Sequence, residues 1–200
     1  MVAPAPLFDL LRTAAALLLG YLAGSLPLAT WIGRAAGVDA RHDGEANPGS
    51  ANVWKLAGPG WGLLALSGDL AKGVVPVAIA VVTFGWWTGW ATAVGVLAGA
   101  CWPMIGRWSG GRGVATLAGV CVALAPLAGV AGLAVAAVVA AAGRVAGRNA
   151  RVPAIGAGFG SYVALAVVEL ADAARIAGLG LLFLVVLGRF VTTRPGPAPA

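Results

Sequence analysis

Charge is what this chain has least of. Only 10% of its residues are Asp, Glu, Lys or Arg, against 60% hydrophobic, and the mean hydropathy is +0.92. A water-soluble globule of 200 residues needs far more polar surface than that, which leaves an integral membrane protein. Cysteine is almost missing. Cys101 and Cys121 both lie in apolar runs with no His or Cys at ligand spacing, so they read as small buried hydrophobes. The single histidine, His42, sits beside Asp43 in a polar stretch and reads as a solvated loop side chain. The 7 acidic residues are too scattered for a metal-binding cluster, and "DARHDG" lacks the spaced aspartates of a metal-dependent alcohol phosphotransferase. No Ser, His and Asp arrangement points to a hydrolase. No metal is expected. Also missing is a basic helix face or a basic run interleaved with aromatics, so the net charge of +6 does not indicate nucleic acid.

What the chain does have is a series of apolar runs, several of roughly 18 or more residues, long enough to cross hydrocarbon. The reading is all-α: a single polytopic membrane domain over residues 1–200 with about seven transmembrane helices and Gly-rich cytoplasmic loops. The helices are expected at about 7–33, 60–83, 86–106, 113–126, 128–145, 153–169 and 175–190, the fourth and fifth being short. A five-span version with re-entrant or tilted segments fits the same charges. Leu7 to Ile32 lacks the basic n-region and small-residue cleavage site of a signal peptide, so it is expected to be retained. Basic residues follow alternate runs: Arg34, Arg41 and Lys55, then Arg107 and Arg112, then Arg144, Arg148 and Arg151, then Arg189 and Arg194. The connections near 83–85 and 125–129 are uncharged. By the positive-inside rule the basic loops are cytoplasmic and the N-terminus lies outside. Trp86, Trp87, Trp90, Trp102 and Trp108 gather around the ends of the third run as an interfacial belt would. Gly and Ala abound, as in "AVGVLAGA", and allow close helix packing in lipid.

A few polar residues sit where lipid should exclude them. Asp69 and Lys72 lie inside the second run, where a charge costs about 2.5 to 3.5 kcal/mol at the helix centre. Three residues apart on a helix, they share a face and can pair. Two readings stand: a structural pair with Lys72 snorkelling to the interface, or a pair facing a polar cavity. The long polar segment "GRAAGVDARHDGEANPGSANVWKLAGPG" is rich in residues that favour turns and exposed amides. The segment "GGRGVAT" places glycines and one cation just before a helix, with Thr116 in its first turn. Backbone amides at a Gly-rich turn entering a helix, with Arg and Lys nearby, suit a phosphate. Two such loops on one membrane face, with Arg148 and Arg151 on a third, point to a phosphorylated substrate.

"GSLPLATWIGRAAGVDARHDGEANPGSANVWKLAG", followed by "GDLAKGVVPV" and "GGRGVATLAGV", resembles the bacterial acyl-phosphate-dependent glycerol-3-phosphate acyltransferases, the PlsY family. The similarity runs in order from about Gly24 to Gly119 and more weakly to about Ala154. Gly24, Ser25, Pro27, Gly33, Arg34, Asp39, Arg41, Gly44, Asn47, Gly49 and Asn52 match the first motif. Asp69, Lys72 and Gly73 match the second, and Gly110, Gly111, Gly113, Val114, Ala115 and Thr116 match the glycine-rich phosphate motif. The resemblance implies a seven-helix enzyme of the bacterial plasma membrane. It would move a fatty acyl group from acyl phosphate to the 1-hydroxyl of glycerol 3-phosphate, giving lysophosphatidic acid for phospholipid synthesis. Neither a metal nor acyl-CoA would be needed, so no cofactor is expected, and the partners are the two substrates and membrane lipid.

Under this resemblance the catalytic positions are Asn47, Lys55 and Glu45. Substrate and phosphate binding falls to Arg41, Asn52, Lys72, Gly110, Gly111, Arg112, Gly113, Thr116 and Arg151. The chain departs from the family pattern at several of these. Glu45 stands for a usual serine, Ala51 for a threonine, Lys55 for an arginine, Ala100 for a histidine, Ser109 for a lysine and Arg112 for a lysine, while Arg151 aligns near a serine. The C-terminal His and Asn motif is replaced by "RFVTTRPGPAPA", with Arg189 and Arg194 as candidate phosphate contacts. Glu45 would repel a phosphate unless it pairs with a nearby Arg or serves as a base. Two other classes stay open. An inactive or retargeted relative that binds lipid or phosphate accounts for the replaced motif. A small transporter would be expected to show inverted repeats or paired broken helices, and neither is visible.

Overall fold

The computed structural model describes residues 6–105, 110–170 and 172–192, except for the side chains of Pro6, Arg151, Ala173 and Ile176. The described residues form nine helices: α1 (Pro6–Gly24), α2 (Leu28–Ala35), α3 (Ser50–Ala57), α4 (Pro59–Phe84), α5 (Trp86–Cys101), α6 (Val114–Leu124), α7 (Pro126–Val145), α8 (Arg151–Leu170) and α9 (Ala173–Thr192).

Each apolar run read from the sequence is helical, but the bounds differ in places: the third, expected over 86–106, ends at Cys101, ahead of Pro103. The first, expected as one helix over 7–33, breaks into α1 and α2 ahead of Pro27, whose nitrogen cannot donate to a helical ladder. The polar segment, whose composition favours turns, also contains the short helix α3. Among the described residues, four stretches are long and apolar enough to cross a membrane: 7–35, α4, α7 and α8. The fifth run, expected to be short, is a full 20-residue helix. α6 has only 11 residues. At 1.5 Å per residue it rises about 16 Å, roughly half of the hydrocarbon thickness. Prolines punctuate the rest: α5 stops before Pro103, while Pro59 and Pro126 open α4 and α7 at positions where a missing N–H costs nothing.

Glycine brings the helices together. On α1 and α5, Gly20 and Gly24 face Gly95 and Gly99 across a shared seam. A Cβ on Gly24 would lie 2.0 Å from the Val96 carbonyl oxygen, and one on Gly99 would lie 2.2 Å from that of Tyr21. These backbones touch, a contact that lipid-embedded helices make only where side chains are absent. The same device closes α4 on α6, where Gly73 meets the Thr116 carbonyl and Gly119 that of Leu70, and α7 on α8 at Gly132 and Gly158.

α5 is the central helix: 11 of its 16 residues are buried. Around it the core is built from Val96 and Leu97 of α5, Val77 of α4, Leu117 and Val120 of α6, and Leu179, Leu182 and Val186 of α9. The outer faces are the reverse of a soluble protein's, with Leu18, Ile79, Val82, Val138 and Val168 exposed. That is the surface of a multi-pass protein whose solvent is lipid. A second, smaller core of Ala29, Ala40, Val53 and Ala65 lies under the polar segment and ties α2 and α3 to α4.

Candidate functional site

Between α2 and α3 the chain makes a run of turns whose shape is set by one buried side chain. Asn52 is fully buried. Its Nδ2 donates to the carbonyls of Ala40 and Asp43, both at 2.9 Å, and its Oδ1 accepts from the Glu45 N–H at 3.1 Å. Gly44 at φ +63° presses against that amide, where a Cβ would come within 2.6 Å of Oδ1. Ala46 follows at φ +49°, an uncommon backbone for a residue with a side chain. Asn52, expected to contact substrate, spends its amide on holding this loop. At the loop's outer end Asp39 accepts from His42 Nδ1 at 2.9 Å and from the Arg41 N–H at 3.1 Å. Those two hydrogen bonds, the histidine's first, hold its carboxyl below the usual carboxylate range.

Asp69 and Lys72 do pair, at 2.9 Å, with side chains only 9% and 10% exposed. The other Asp69 oxygen accepts from the N–H of Ser50 at 3.3 Å and so fastens the start of α3 to α4. The pair faces a small, open cleft. Ser25 and Thr30 line it from the α1–α2 break, Arg41 and Pro48 from the polar loop, Ala100 and Pro103 from the end of α5, and Gly110 and Gly111 from the glycine-rich loop. Both residues of the pair line this cleft, and the same pair fastens α3 to α4. Thr30 was missed by the sequence reading, although "GSLP" marks a helix break that turns the start of α2 toward the loops.

The glycine-rich loop is shaped by backbone contact. A Cβ on Gly110 would meet the carbonyl oxygens of Ala100 and Cys101 at 2.4 and 2.6 Å, so only glycine fits against the end of α5. Gly111 is different: its nearest neighbour across the gap is the Asn47 side chain, 3.7 Å from a built Cβ. Gly113 opens α6 in the left-handed conformation, φ +73°, over the Cys101 sulfur. Thr116, expected to position substrate oxygens, is buried with its carbonyl against Gly73.

A second charged cluster forms where this loop meets the polar loop. Glu45 accepts from Lys55 Nζ through one oxygen and from Arg112 Nη1 through the other, the latter at 3.2 Å. Glu45 and Arg112 are each 16% exposed and Lys55 41%. The Arg112 guanidinium also lies over the Phe190 ring, 4.9 Å from its centroid. Next to Phe190, Arg189 donates from Nη2 to the carbonyls of Cys101 at 3.1 Å and Gly110 at 3.4 Å. Expected as a phosphate contact, Arg189 clamps the glycine-rich loop from α9. The Arg151 side chain, Arg107, Ser109 and Arg194 lie outside the described residues.

Arg41, Lys72, Gly110 and Gly111 thus share one cleft. Glu45, Lys55 and Arg112 form a cluster joined to it through consecutive residues 111 and 112, with Asn47 beside Gly111. Asn52, Gly113 and Thr116 stand behind as scaffold. Two cationic groups meeting at a glycine-rich loop can receive two phosphate groups. Among the described residues no group of His, Cys, Asp and Glu is placed to hold a metal ion.

The family described as glycerol-3-phosphate acyltransferase matches this chain over residues 14–194. The glycerol-3-phosphate acyltransferase of Rubrobacter xylanophilus is 48% identical over 113 residues, covering 56% of this chain and 57% of the relative. Glycerol-3-phosphate acyltransferase 1 of Deinococcus radiodurans is 44% identical over 116 residues, covering 57% and 58%. The chain thus spans little more than half the length of the curated relatives it matches. The crystal structure of PlsY, an integral membrane glycerol 3-phosphate acyltransferase, in its glycerol 3-phosphate form, superposes with a TM-score of 0.76 and 25% identity. That superposition covers 92% of this chain and 94% of the other. Nearly the whole chain matches in sequence, and nearly all of it in fold: this protein belongs to the glycerol-3-phosphate acyltransferase family.

Proposed function

We propose that this protein transfers a fatty acyl group from acyl phosphate to the 1-hydroxyl of glycerol 3-phosphate, releasing inorganic phosphate and lysophosphatidic acid. The observation that carries this reading is a cleft lined by Arg41, Lys72, Gly110 and Gly111, with a second cation group, Lys55 and Arg112 bridged by Glu45, continuing from Gly111 in the chain. Both substrates carry a phosphate, and each needs a countercharge away from bulk water. A site for a single phosphate would need only one such group.

Acyl phosphate brings its own activation. The acceptor hydroxyl attacks the carbonyl carbon, the bond from that carbon to the phosphate oxygen breaks, and the hydroxyl proton goes to the departing phosphate. The protein has to orient the two substrates and neutralise charge, and orientation alone is worth about 7 to 11 kcal/mol of barrier when the reacting atoms are well aligned. In this reading Arg41, Lys72 and the amides of Gly110 and Gly111 hold one phosphate, and Lys55 and Arg112 hold the other. Asn47 positions the reacting oxygens. Asn52 and Thr116 keep the loops in place. The acyl chain lies against the exposed apolar helix faces. The basic loops face the cytoplasm of a bacterial cell, with the N-terminus outside the plasma membrane, as the distribution of Arg and Lys supports.

The test is phosphate release from palmitoyl phosphate by purified, detergent-solubilised protein, with and without glycerol 3-phosphate. Release that needs the acceptor, and falls at least tenfold in Arg112→Ala, supports the reading. Folded protein that releases no acceptor-dependent phosphate sinks it, in favour of a phosphate-binding relative without turnover.

A further inference from the structure

Glu45 bridges the two cations that the acyltransferase reading assigns to a substrate phosphate. Its two carboxylate oxygens bridge Lys55 and Arg112, residues separated by 57 positions in the chain and both expected to bind anions. The bridge is built, not incidental. The Glu45 backbone is pinned by the buried Asn52 amide, and Gly44 and Ala46 on either side adopt left-handed backbone. The side chain beyond that pinned backbone has three rotatable bonds and is partly exposed, so the carboxylate can swing out while the loop stays as it is. Asp69 is the contrast: buried, short and held by the Ser50 N–H, it has no comparable freedom.

We infer that Glu45 is a resident counter-anion that keeps Lys55 and Arg112 together in the empty site and is displaced when a substrate phosphate binds between them. This inference rests on the acyltransferase reading above. It makes two statements about binding. First, the site is competent only in the fraction of molecules whose Glu45 has left the cations, so the apparent affinity for the phosphate is reduced by that fraction. Second, wild-type protein exchanges one anion for another at these cations. Its affinity then depends less on salt than that of a protein in which the cations begin without a carboxylate. A general base at the same position would show neither property, because its loss would slow turnover and leave binding as it was.

The experiment is calorimetric titration of glycerol 3-phosphate into detergent-solubilised wild type and Glu45→Gln at two salt concentrations, with turnover and thermal melting measured on the same samples. Expected for Glu45→Gln is roughly tenfold tighter binding at low salt and a steeper loss of affinity as salt rises. Glu45→Ser carries the same comparison should the glutamine variant fail to fold. Glycerol 3-phosphate binding that is unchanged or weaker in both variants, with intact melting, overturns the inference. So does lost turnover with unchanged binding, which would make Glu45 the base. Absence of binding in wild type and variants alike would overturn the acyltransferase reading itself, and this inference with it.

Discussion

The two carboxylate–cation clusters beside the cleft differ in how they are made. Asp69 and Lys72 are three residues apart on one helix, buried, and anchored by a main-chain N–H from α3. Glu45, Lys55 and Arg112 come from three segments and meet only when the polar loop and the glycine-rich loop have both folded. They also remain partly open to solvent. A pair dictated by helix geometry inside a low-dielectric bundle is a fixed part of the fold. A cluster assembled over long range at a cleft edge is exchangeable. Under the proposed function, the first would offer a phosphate site whose own charges stay in place, and the second one whose resident carboxylate gives way to the incoming anion.

The largest effect is expected from breaking the fixed pair. Lys72→Ala leaves Asp69 buried without its cation and should lower stability by about 3–5 kcal/mol, seen in detergent-phase melting. A double variant, Asp69→Asn with Lys72→Met, removes both charges and should recover most of that stability. It should remain inactive in acceptor-dependent phosphate release. Recovery of activity with stability would mean that the pair is structural only.

Next come the glycines between the clusters. Gly110→Ala drives a methyl group into two carbonyl oxygens of α5 and should cost about 1–3 kcal/mol in melting as the loop shifts. Gly111→Ala, with its nearest neighbour at 3.7 Å, should melt like wild type yet weaken glycerol 3-phosphate binding by occupying the cleft. Equal melting losses in the two variants would remove the distinction between the packed and the open glycine.

Arg112→Ala should lower stability by less than about 1 kcal/mol, because the ion pair it breaks is partly solvated. It should weaken glycerol 3-phosphate binding roughly tenfold, opposite in direction to Glu45→Gln. The smallest effect belongs to Asp39, outside both clusters. Its folded pKa is lowered, so its contribution to stability is present above the ordinary value of 3.8 and is lost as the pH falls through the lowered value. The melting difference between wild type and Asp39→Asn should therefore be visible near neutral pH and vanish only in strong acid, once the pH is below the lowered value.

What could be read from the sequence follows the same division. The apolar runs, the three-residue spacing of Asp69 and Lys72, and the glycine-rich turn before α6 are local patterns, and each appears in the structure at the residues named. The helix count was less legible. Pro27 splits the first run, and α3 forms in a segment whose Gly, Asn and Asp content favours turns. Roles that depend on distant partners were legible only as alternatives, as with the pairing of Glu45 with an Arg, or not at all. Asn52 looks like a substrate ligand until Ala40 and Asp43 are seen to use its amide. Arg189 looks like a phosphate contact until the carbonyls of Cys101 and Gly110, 88 and 79 residues away, are found at its guanidinium. Charge and residue type identify the candidates for anion binding, but only packing separates those that face the cleft from those that hold it open.

The most direct measurement is the balance of products. Wild-type protein in detergent is given palmitoyl phosphate and glycerol 3-phosphate, and lysophosphatidic acid is quantified by mass spectrometry alongside released phosphate. The account predicts equal amounts of the two, both absent without the acceptor and both lost in the folded double variant of Asp69 and Lys72. Phosphate released without lysophosphatidic acid, or no product at all from folded wild type, would contradict it.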